Sequence, residues 1–474
     1  MTKTKLYIKQ SQIQADIHTP VSIYLSLRDK FGGSLLLESS DYHGNENSIS
    51  MICCQPIAKF MVDNNIITEE LPNGIKNTKS ITENNVPDAL QSFINLFDLS
   101  EAGNLKNADS LFGYTSYEAL KYFDNIELHD FGKSKKIPEI LYVLYRYVLV
   151  LDHFNDTLNM YEFTTDETHQ STLDKITAIL TNRGIEQYPF SLKNEITSNL
   201  TDDEYKALVN KGKQHCQRGD VFQIVISREY SIGYIGDDFN VYRALRSVNP
   251  SPYLFYFDEG NFKIFGSSPE AQLVIENNTA AIHPIAGTFR RTGNDADDAE
   301  LAKKLLLDTK ENAEHVMLVD LARNDLSRAC KNVIIEKYKE VQFFSHVIHL
   351  VSKVTGELKS DSTNTRIAAD TFPAGTLTGA PKHKAMQLIS KLENNERSYY
   401  GGCIGFYGLK GGFNHAIIIR SFLAKENKLH WRAGAGVVAD STDVSELQEV
   451  NNKLAALRKA LEKASENISQ KNYV

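Results

Sequence analysis

The chain lacks any apolar run near the roughly 18 residues needed to cross a bilayer. Its opening stretch, Met1-Thr-Lys-Thr-Lys-Leu-Tyr-Ile-Lys9, has no apolar core of the signal-peptide kind. No membrane association is therefore expected, and a cytoplasmic location is. Cysteine is scarce: Cys53, Cys54, Cys216, Cys330 and Cys403 form no C-x-x-C pair, and an odd number argues against a disulfide framework. They read as reduced, mostly buried, small apolar residues. Lys/Arg blocks with interleaved aromatics are missing, and a net charge of -8 disfavours a phosphate backbone, so no nucleic acid is expected. Internal repeats and low-complexity tracts are absent as well. What remains is 42% hydrophobic and 24% charged, the balance of a globular protein. The 474 residues suffice for two or three domains, or for one large body with a smaller appendage.

Residues 34–39 and 140–151 read as strands, and a turn at Asn155-Asp156 leads into 158–163, so a hairpin is expected. Residues 171–183 have helical periodicity, whereas 186–200 are polar and irregular and mark a boundary. Thr201-Asp-Asp-Glu204 has capping-box spacing and starts a helix ended by Gly219. Strands follow at 221–227 and 253–257, with helices around 300–307 and 311–322. Near the end a meander is expected: 401–407, a Gly411-Gly412 turn, 416–423, a Glu426-Asn427 turn and 429–433. Leu447, Val450, Leu454, Leu457 and Leu461 then recur at three and four residues, the stripe of a helix packed on a core.

Asp370-Thr-Phe-Pro-Ala-Gly-Thr-Leu-Thr-Gly-Ala-Pro-Lys382 crowds two glycines, two prolines and three threonines ahead of a helix through Ala385, Met386 and Leu388. Such a loop can turn amides and hydroxyls toward an anion, although loops of this composition also serve as plain connectors. Glu311 and Glu314 stand three apart in helical sequence, as do Glu446 and Glu449, so each pair projects from one helix face. Four convergent carboxylates would need a cation, and oxygen-only ligands favour Mg²⁺; the same spacing also suits two solvated helix faces. Glu270 follows an apolar strand, where it is either a turn-stabilising residue or a carboxyl in a drier pocket, able to keep its proton and act as an acid. His349 lies in an extended apolar stretch as a core histidine or a proton shuttle. Tyr400 and Arg420 bracket the first hairpin of the meander, and Gly434-Ala435-Gly436 follows its third strand. An arginine beside exposed glycine amides suits a carboxylate, because the guanidinium binds bidentately; a surface arginine and a plain glycine turn fit the same letters.

Nine segments occur in a fixed order: Gly219-Asp-Val-Phe-Gln-Ile-Val-Ile-Ser-Arg228, Asn249-Pro-Ser-Pro-Tyr253, Ser267-Ser-Pro-Glu270, Pro284-Ile-Ala-Gly-Thr288, Glu314-His-Val-Met-Leu-Val-Asp-Leu-Ala-Arg-Asn-Asp325, His349-Leu-Val-Ser352, Gly375-Thr-Leu-Thr-Gly-Ala-Pro-Lys382, Tyr400-Gly-Gly402 and Gly434-Ala-Gly436. Together they resemble the chorismate-utilising enzymes, and within these the large subunits of anthranilate synthases. The resemblance runs from about Thr201 to the end, with a weaker match back to about Thr19. It implies an α+β fold: a large mixed or antiparallel β-sheet core covered by helices, with an N-terminal β-rich regulatory subdomain. The division would be 1–190 for the regulatory, tryptophan-binding region and 198–466 for the chorismate-binding catalytic domain.

The resemblance further implies that Glu314 and Glu449, supported by Glu311 and Glu446, hold Mg²⁺ against the ring carboxylate of chorismate. Tyr400, Arg420 and the Gly434 and Gly436 amides, with Ala435 between them, would take the pyruvyl carboxylate. Thr376 would bond at the ring carboxylate, Glu270 would protonate the departing ring hydroxyl as ammonia adds, and His349 would assist pyruvate elimination. Gln223 and the Ala286, Gly287, Thr288 segment complete the substrate contacts. Relatives that activate water carry a lysine at the Gln223 position, and many aminodeoxychorismate synthases carry one at Ala286. Neither is present, so ammonia is the expected nucleophile and anthranilate the product; aminodeoxychorismate synthase, or a silent tryptophan-binding paralogue, is the alternative.

Feedback tryptophan would bind through Glu38 and Ser39 together with Asn249, Pro250, Ser251, Pro252, Tyr253 and Leu254. Ser48-Ile-Ser-Met-Ile-Cys53 only partly follows the family pattern near this region, and Val444 stands where a further Glu is common. Gly401-Gly-Cys-Ile-Gly405 matches the letters of a glutaminase nucleophile turn, but it opens a strand and no His-x-Glu follows it. A separate glutamine amidotransferase subunit is therefore the expected partner.

Overall fold

The computed structural model describes residues 3–39, 48–81, 85–100, 103, 105–132, 135–182, 184–343 and 347–469. One antiparallel path threads both halves of the chain. Strand Gln223–Gly236 pairs with Lys428–Val437, which pairs with Ser421–Lys425, then Phe262–Ser268 and Tyr253–Asp258. There an N-terminal strand takes over: Ser34–Ser39 lies against Tyr253–Asp258, with Ser39 opposite Tyr253 and Ser34 opposite Asp258. The path continues through Ile49–Asp63, Ile140–Asp152 and Ser110–Thr115. It then re-enters the C-terminal half at Cys403–Gly408, Phe413–Ile417, Ala271–Glu276, Thr279–Ile282 and Val347–Leu358. The fold is α+β, a large sheet with helices packed on it.

Helices Asp202–Gln217, Phe239–Val248 and Asp443–Ser469 share one apolar cluster, in which Val450, Leu454, Leu457 and Leu461 meet Tyr205, Val209, Tyr242 and Trp431. Each such side chain contributes about 1.5–3 kcal/mol on burial. The expected capping box is present: Thr201 Oγ1 accepts from Glu204 N at 3.2 Å, and the Glu204 carboxylate accepts from Thr201 N at 2.7 Å. Helix Thr309–Ala329 packs elsewhere, its Val319, Ala322 and Leu326 joining Leu90, Phe93 and Ile367. Among the described residues no helix is long and apolar enough to cross a membrane.

Three expectations differ from the structure. Residues 186–200 are not irregular throughout, because Phe190–Ser198 is a strand that, among the described residues, is bonded only to Gln223–Gly236. Its polarity is that of an edge strand facing water. Residues 416–423 form two strands, Phe413–Ile417 and Ser421–Lys425, broken at Arg420, whose φ is 48°. The third meander strand runs on to Val437, so Gly434 and Gly436 lie within it instead of in a turn after it.

Candidate active site

The break at Arg420 faces a second break. Strand Phe262–Ser268 pairs with Ser421–Lys425, and the next strand, Ala271–Glu276, pairs with Phe413–Ile417, so two neighbouring chains turn a corner together. Backbone bonds lock it: Ile417 N donates to Glu270 O at 3.0 Å and Ser267 N donates to Arg420 O at 3.1 Å. The corner places Glu270 and Arg420 side by side. Burial pushes the Glu270 carboxyl up to about 7, against the Thr376 hydroxyl, which donates to its Oε1 at 3.1 Å, and the charges of Arg420 and Lys453. A carboxylic acid in this state can give up a proton near neutral pH.

The Thr376 loop is a short 3₁₀ turn, Gly375–Leu377, followed by Gly379–Ala380, which pairs with Ile224 and Gln223, and then by helix Lys382–Leu392. Lys382 does not face the cleft as a free cation: its Nζ donates to Asp325 Oδ2 at 2.6 Å and to Thr371 O at 2.9 Å, tying the loop to helix Thr309–Ala329. Across the cleft, the ladder between Ser421–Lys425 and Lys428–Val437 ends at Trp431, while the other edge stays paired to Val437. Gly434 O points outward, accepting from Lys453 Nζ at 2.9 Å. By the two-residue alternation of a strand, the Gly434 and Gly436 amides present that same open edge. A Cβ at Gly436 would meet Gln223 Nε2 at 2.3 Å, so the glycine leaves room for that amide. Tyr400 is buried, and its hydroxyl feels the charges of Arg397, Lys453 and Arg432.

The helical side carries the glutamates. Glu311 is raised by burial and by the carboxylates of Glu314, Asp308 and Glu449; Glu446 is raised by burial and by Glu449. Among the described residues Glu446 Oε2 is buried with no hydrogen-bond partner, and Gln223 Nε2 donates to Glu314 Oε1 at 3.2 Å. Among the described residues no three acidic, histidine or cysteine side chains converge closely enough to hold a metal ion. The donor set is nonetheless all carboxylate oxygen with one orphaned acceptor, which suits a hard cation. Lys453, which the sequence reading missed, stands one turn beyond Glu449 and pairs with it at 2.7 Å. The i, i+3, i+7 spacing of Glu446, Glu449 and Lys453 was the available signal.

His349 is 7% exposed, and burial pushes it down to about 4. Gly287 O lies 3.0 Å from its Nδ1, so Nδ1 carries the hydrogen and Nε2 is the basic nitrogen. Gly287 itself has φ 71° and backs onto Glu311. Ala286 is buried opposite Leu350. Thr288 pairs through its backbone with His349; its side chain lies outside the described residues. Cys403 sits in a ladder opposite Thr115, and burial pushes its thiol up to about 12, far from a nucleophile's range.

A separate cavity of about 960 Å³ is lined by Glu38, Ser39, Pro252, Tyr253 and Leu254. Pro269 and Ala271, flanking Glu270, and Ile285, next to Ala286, line it as well. Asn249, Pro250 and Ser251 do not. Asn249 instead braces the bend, its carbonyl accepting from Ser267 Oγ. The Glu38 carboxylate is taken by Tyr242 Oη at 2.5 Å and Arg246 Nη2 at 2.8 Å.

Residues 39–459 match the chorismate binding enzyme family, and the chain belongs to it. It is an enzyme, a chorismate-utilising lyase. Among its relatives is anthranilate synthase component 1 of Neisseria meningitidis serogroup B (strain ATCC BAA-335 / MC58), 36% identical over 97% of this chain and 96% of that one. The Acetivibrio thermocellus protein of the same name is 33% identical over 96% and 95%. The crystal structure of anthranilate synthase component I from Streptococcus pneumoniae TIGR4 superposes with a TM-score of 0.75 at 29% identity, covering 86% of this chain and 92% of that one. The menaquinone-specific isochorismate synthase MenF of Escherichia coli, at 18% identity and a TM-score of 0.74 over 97% and 95%, shares the fold.

Proposed function

We propose that this enzyme converts chorismate and ammonia to anthranilate, pyruvate and water, the first committed step of tryptophan biosynthesis. The observation that carries the reading is Glu270, a carboxyl poised near 7 beside Thr376 and Arg420, in a cleft with Gln223 and Ala286 where water- or lysine-attacking relatives carry lysine. Arg420, Tyr400 and the outward amides of Gly434 and Gly436 hold the pyruvyl carboxylate. Glu314 and Glu449, with Glu311 and Glu446 behind them, would hold Mg²⁺, which when bound neutralises the ring carboxylate. Thr376 orients Glu270, which gives its proton to the departing ring hydroxyl as ammonia bonds to the ring. Neutral His349 then accepts the ring proton through Nε2 as pyruvate leaves and the ring becomes aromatic.

A separate glutamine amidotransferase subunit supplies the ammonia, since Cys403 is unsuited to that chemistry. Tryptophan occupies the 960 Å³ cavity and acts through Pro269, Ala271 and Ile285, each one residue from the cleft. The test is incubation of the chain with chorismate, Mg²⁺ and an ammonium salt, watching anthranilate fluorescence. Anthranilate formation that tryptophan inhibits is expected. A non-aromatic amino product would replace this reading with aminodeoxychorismate chemistry, and tryptophan binding without any product would make the chain a silent paralogue.

A further inference from the structure

Arg397 lies outside the substrate cleft and is 2% exposed. Its guanidinium makes four described bonds. Nε and Nη2 donate to the two oxygens of Glu393 at 2.8 and 2.7 Å, a bidentate pair. Nη1 donates to Leu377 O at 2.7 Å, and Nη2 also donates to Val225 O at 2.9 Å. Its backbone carbonyl accepts from Tyr400 N at 3.2 Å, while its own amide donates to Glu118 Oε1 at 2.8 Å. The Tyr117 ring covers its flat face at 4.7 Å.

Three of these contacts, at Leu377, Val225 and Tyr400, reach the cleft on different elements. Leu377 follows Thr376 in the 3₁₀ turn. Val225 is two residues beyond Gln223 in its strand, and its amide donates to Thr378 O at 2.8 Å. Tyr400 ends the turn that Arg397 begins. On the far side, Glu393 is fixed by Ser227 N at 2.8 Å, Ser227 Oγ at 2.6 Å and Arg432 Nη2 at 3.1 Å. Arg432 Nε closes the ring on Ser227 Oγ at 2.7 Å. The anchor is thus saturated, and a shift of Arg397 moves loop, strand and tyrosine together.

Buried ion pairs add little net stability over apolar packing of the same shape. A fully bonded one does fix geometry, because each misplaced donor would leave a buried carbonyl unpaired. We infer that Arg397 is a positioning residue, which sets the mutual placement of Thr376, Gln223 and Tyr400 and thereby the shape of the chorismate site. The inference rests on the chorismate site proposed above.

R397K keeps the charge and most of the volume but cannot span Glu393, Leu377 and Val225 with a planar fork. Misplacing site groups by about 1 Å costs up to ~100-fold in such systems, so KM for chorismate is expected to rise about tenfold. The KM for ammonium should change less than about threefold, kcat should fall as Thr376 loses its hold on Glu270, and the chorismate dissociation constant, measured by calorimetry, should rise with KM. Glu393→Gln, which keeps the shape and removes the anchor's charge, should move the same constants in the same direction by less. A lower Tm with native chorismate KM and dissociation constant in either variant would make the network merely structural and overturn the inference. If the unmodified chain binds chorismate but makes no anthranilate, the anthranilate reading fails while the calorimetric comparison still decides the role of Arg397.

Discussion

On the sheet side of the cleft, Glu270, Thr376, Tyr400 and Arg420 are held by a paired corner, by Thr376 bonded to Glu270 and by the loop's pairing to Gln223 and Ile224. On the helix side, Glu311, Glu314, Glu446 and Glu449 crowd one another, and a buried oxygen of Glu446 has no partner among the described residues. The first wall is built before substrate arrives; the second is electrostatically incomplete and calls for positive charge. Lys453 bridges them, bonded to Gly434 O on one side and Glu449 on the other. Preformed dipoles suit proton transfer, where reorganisation would cost rate. A repelling carboxylate set suits a ligand whose charge completes it.

The comparison breaks most sharply at Glu270. Glu270→Gln should lower kcat by at least ~100-fold, the usual weight of a general acid, with chorismate affinity retained by calorimetry. Turnover within a few-fold of native would remove Glu270 from the acid role. On the other wall, EDTA should abolish anthranilate formation and Mg²⁺ restore it. Glu449→Gln should raise the Mg²⁺ concentration for half-maximal rate by about 10–100-fold, in line with ligand and near-ligand losses elsewhere. An unchanged Mg²⁺ titration would show that this glutamate is not part of the cation site.

The two walls should also differ in pH response. As the proposed acid, Glu270 must be protonated, so at constant free ammonia kcat/KM is full below about 6 and falls as pH rises through about 7, approaching tenfold per unit. His349, pushed down to about 4, stays neutral throughout that range and charges only as pH falls through its own value. At constant free ammonia, a rate rising through pH 8 would contradict the acid assignment. The smallest effect is expected for Gly436→Ala, whose Cβ would displace the Gln223 amide from 2.3 Å. That amide ends a flexible side chain, so a rise in chorismate KM of only about two- to fivefold is expected, measured beside an unchanged kcat.

The local features of this fold are legible in the letters. Thr201 and Glu204 make their reciprocal cap, the leucine stripe is buried, and Glu426-Asn427 forms a turn with both φ values positive. What escapes is set by residues distant in sequence. The break at Arg420 is matched by a break in the neighbouring strands at Glu270, about 150 residues earlier, and no local propensity encodes that. The strand Phe190–Ser198 has polar letters because, among the described residues, only one neighbouring strand bonds it. Arg397 and Lys453 read as ordinary charged residues until the carbonyls they serve come from other elements. The carboxyl of Glu270 was visible as a residue, whereas its raised pKa depends on a corner that only the assembled sheet provides.

Strand Ser34–Ser39 lies between Tyr253–Asp258 and Ile49–Asp63, well inside the sheet path. The region proposed to sense tryptophan is therefore also a rib of the sheet that carries Glu270. Deleting that region would bare the backbone of Tyr253–Asp258 and open the sheet within a few strands of Glu270. A lineage seeking overproduction cannot shed this half of the gene as a detachable brake. Release from the proposed tryptophan inhibition would have to come through single changes in the lining of the cavity, each small enough to leave the rib in place.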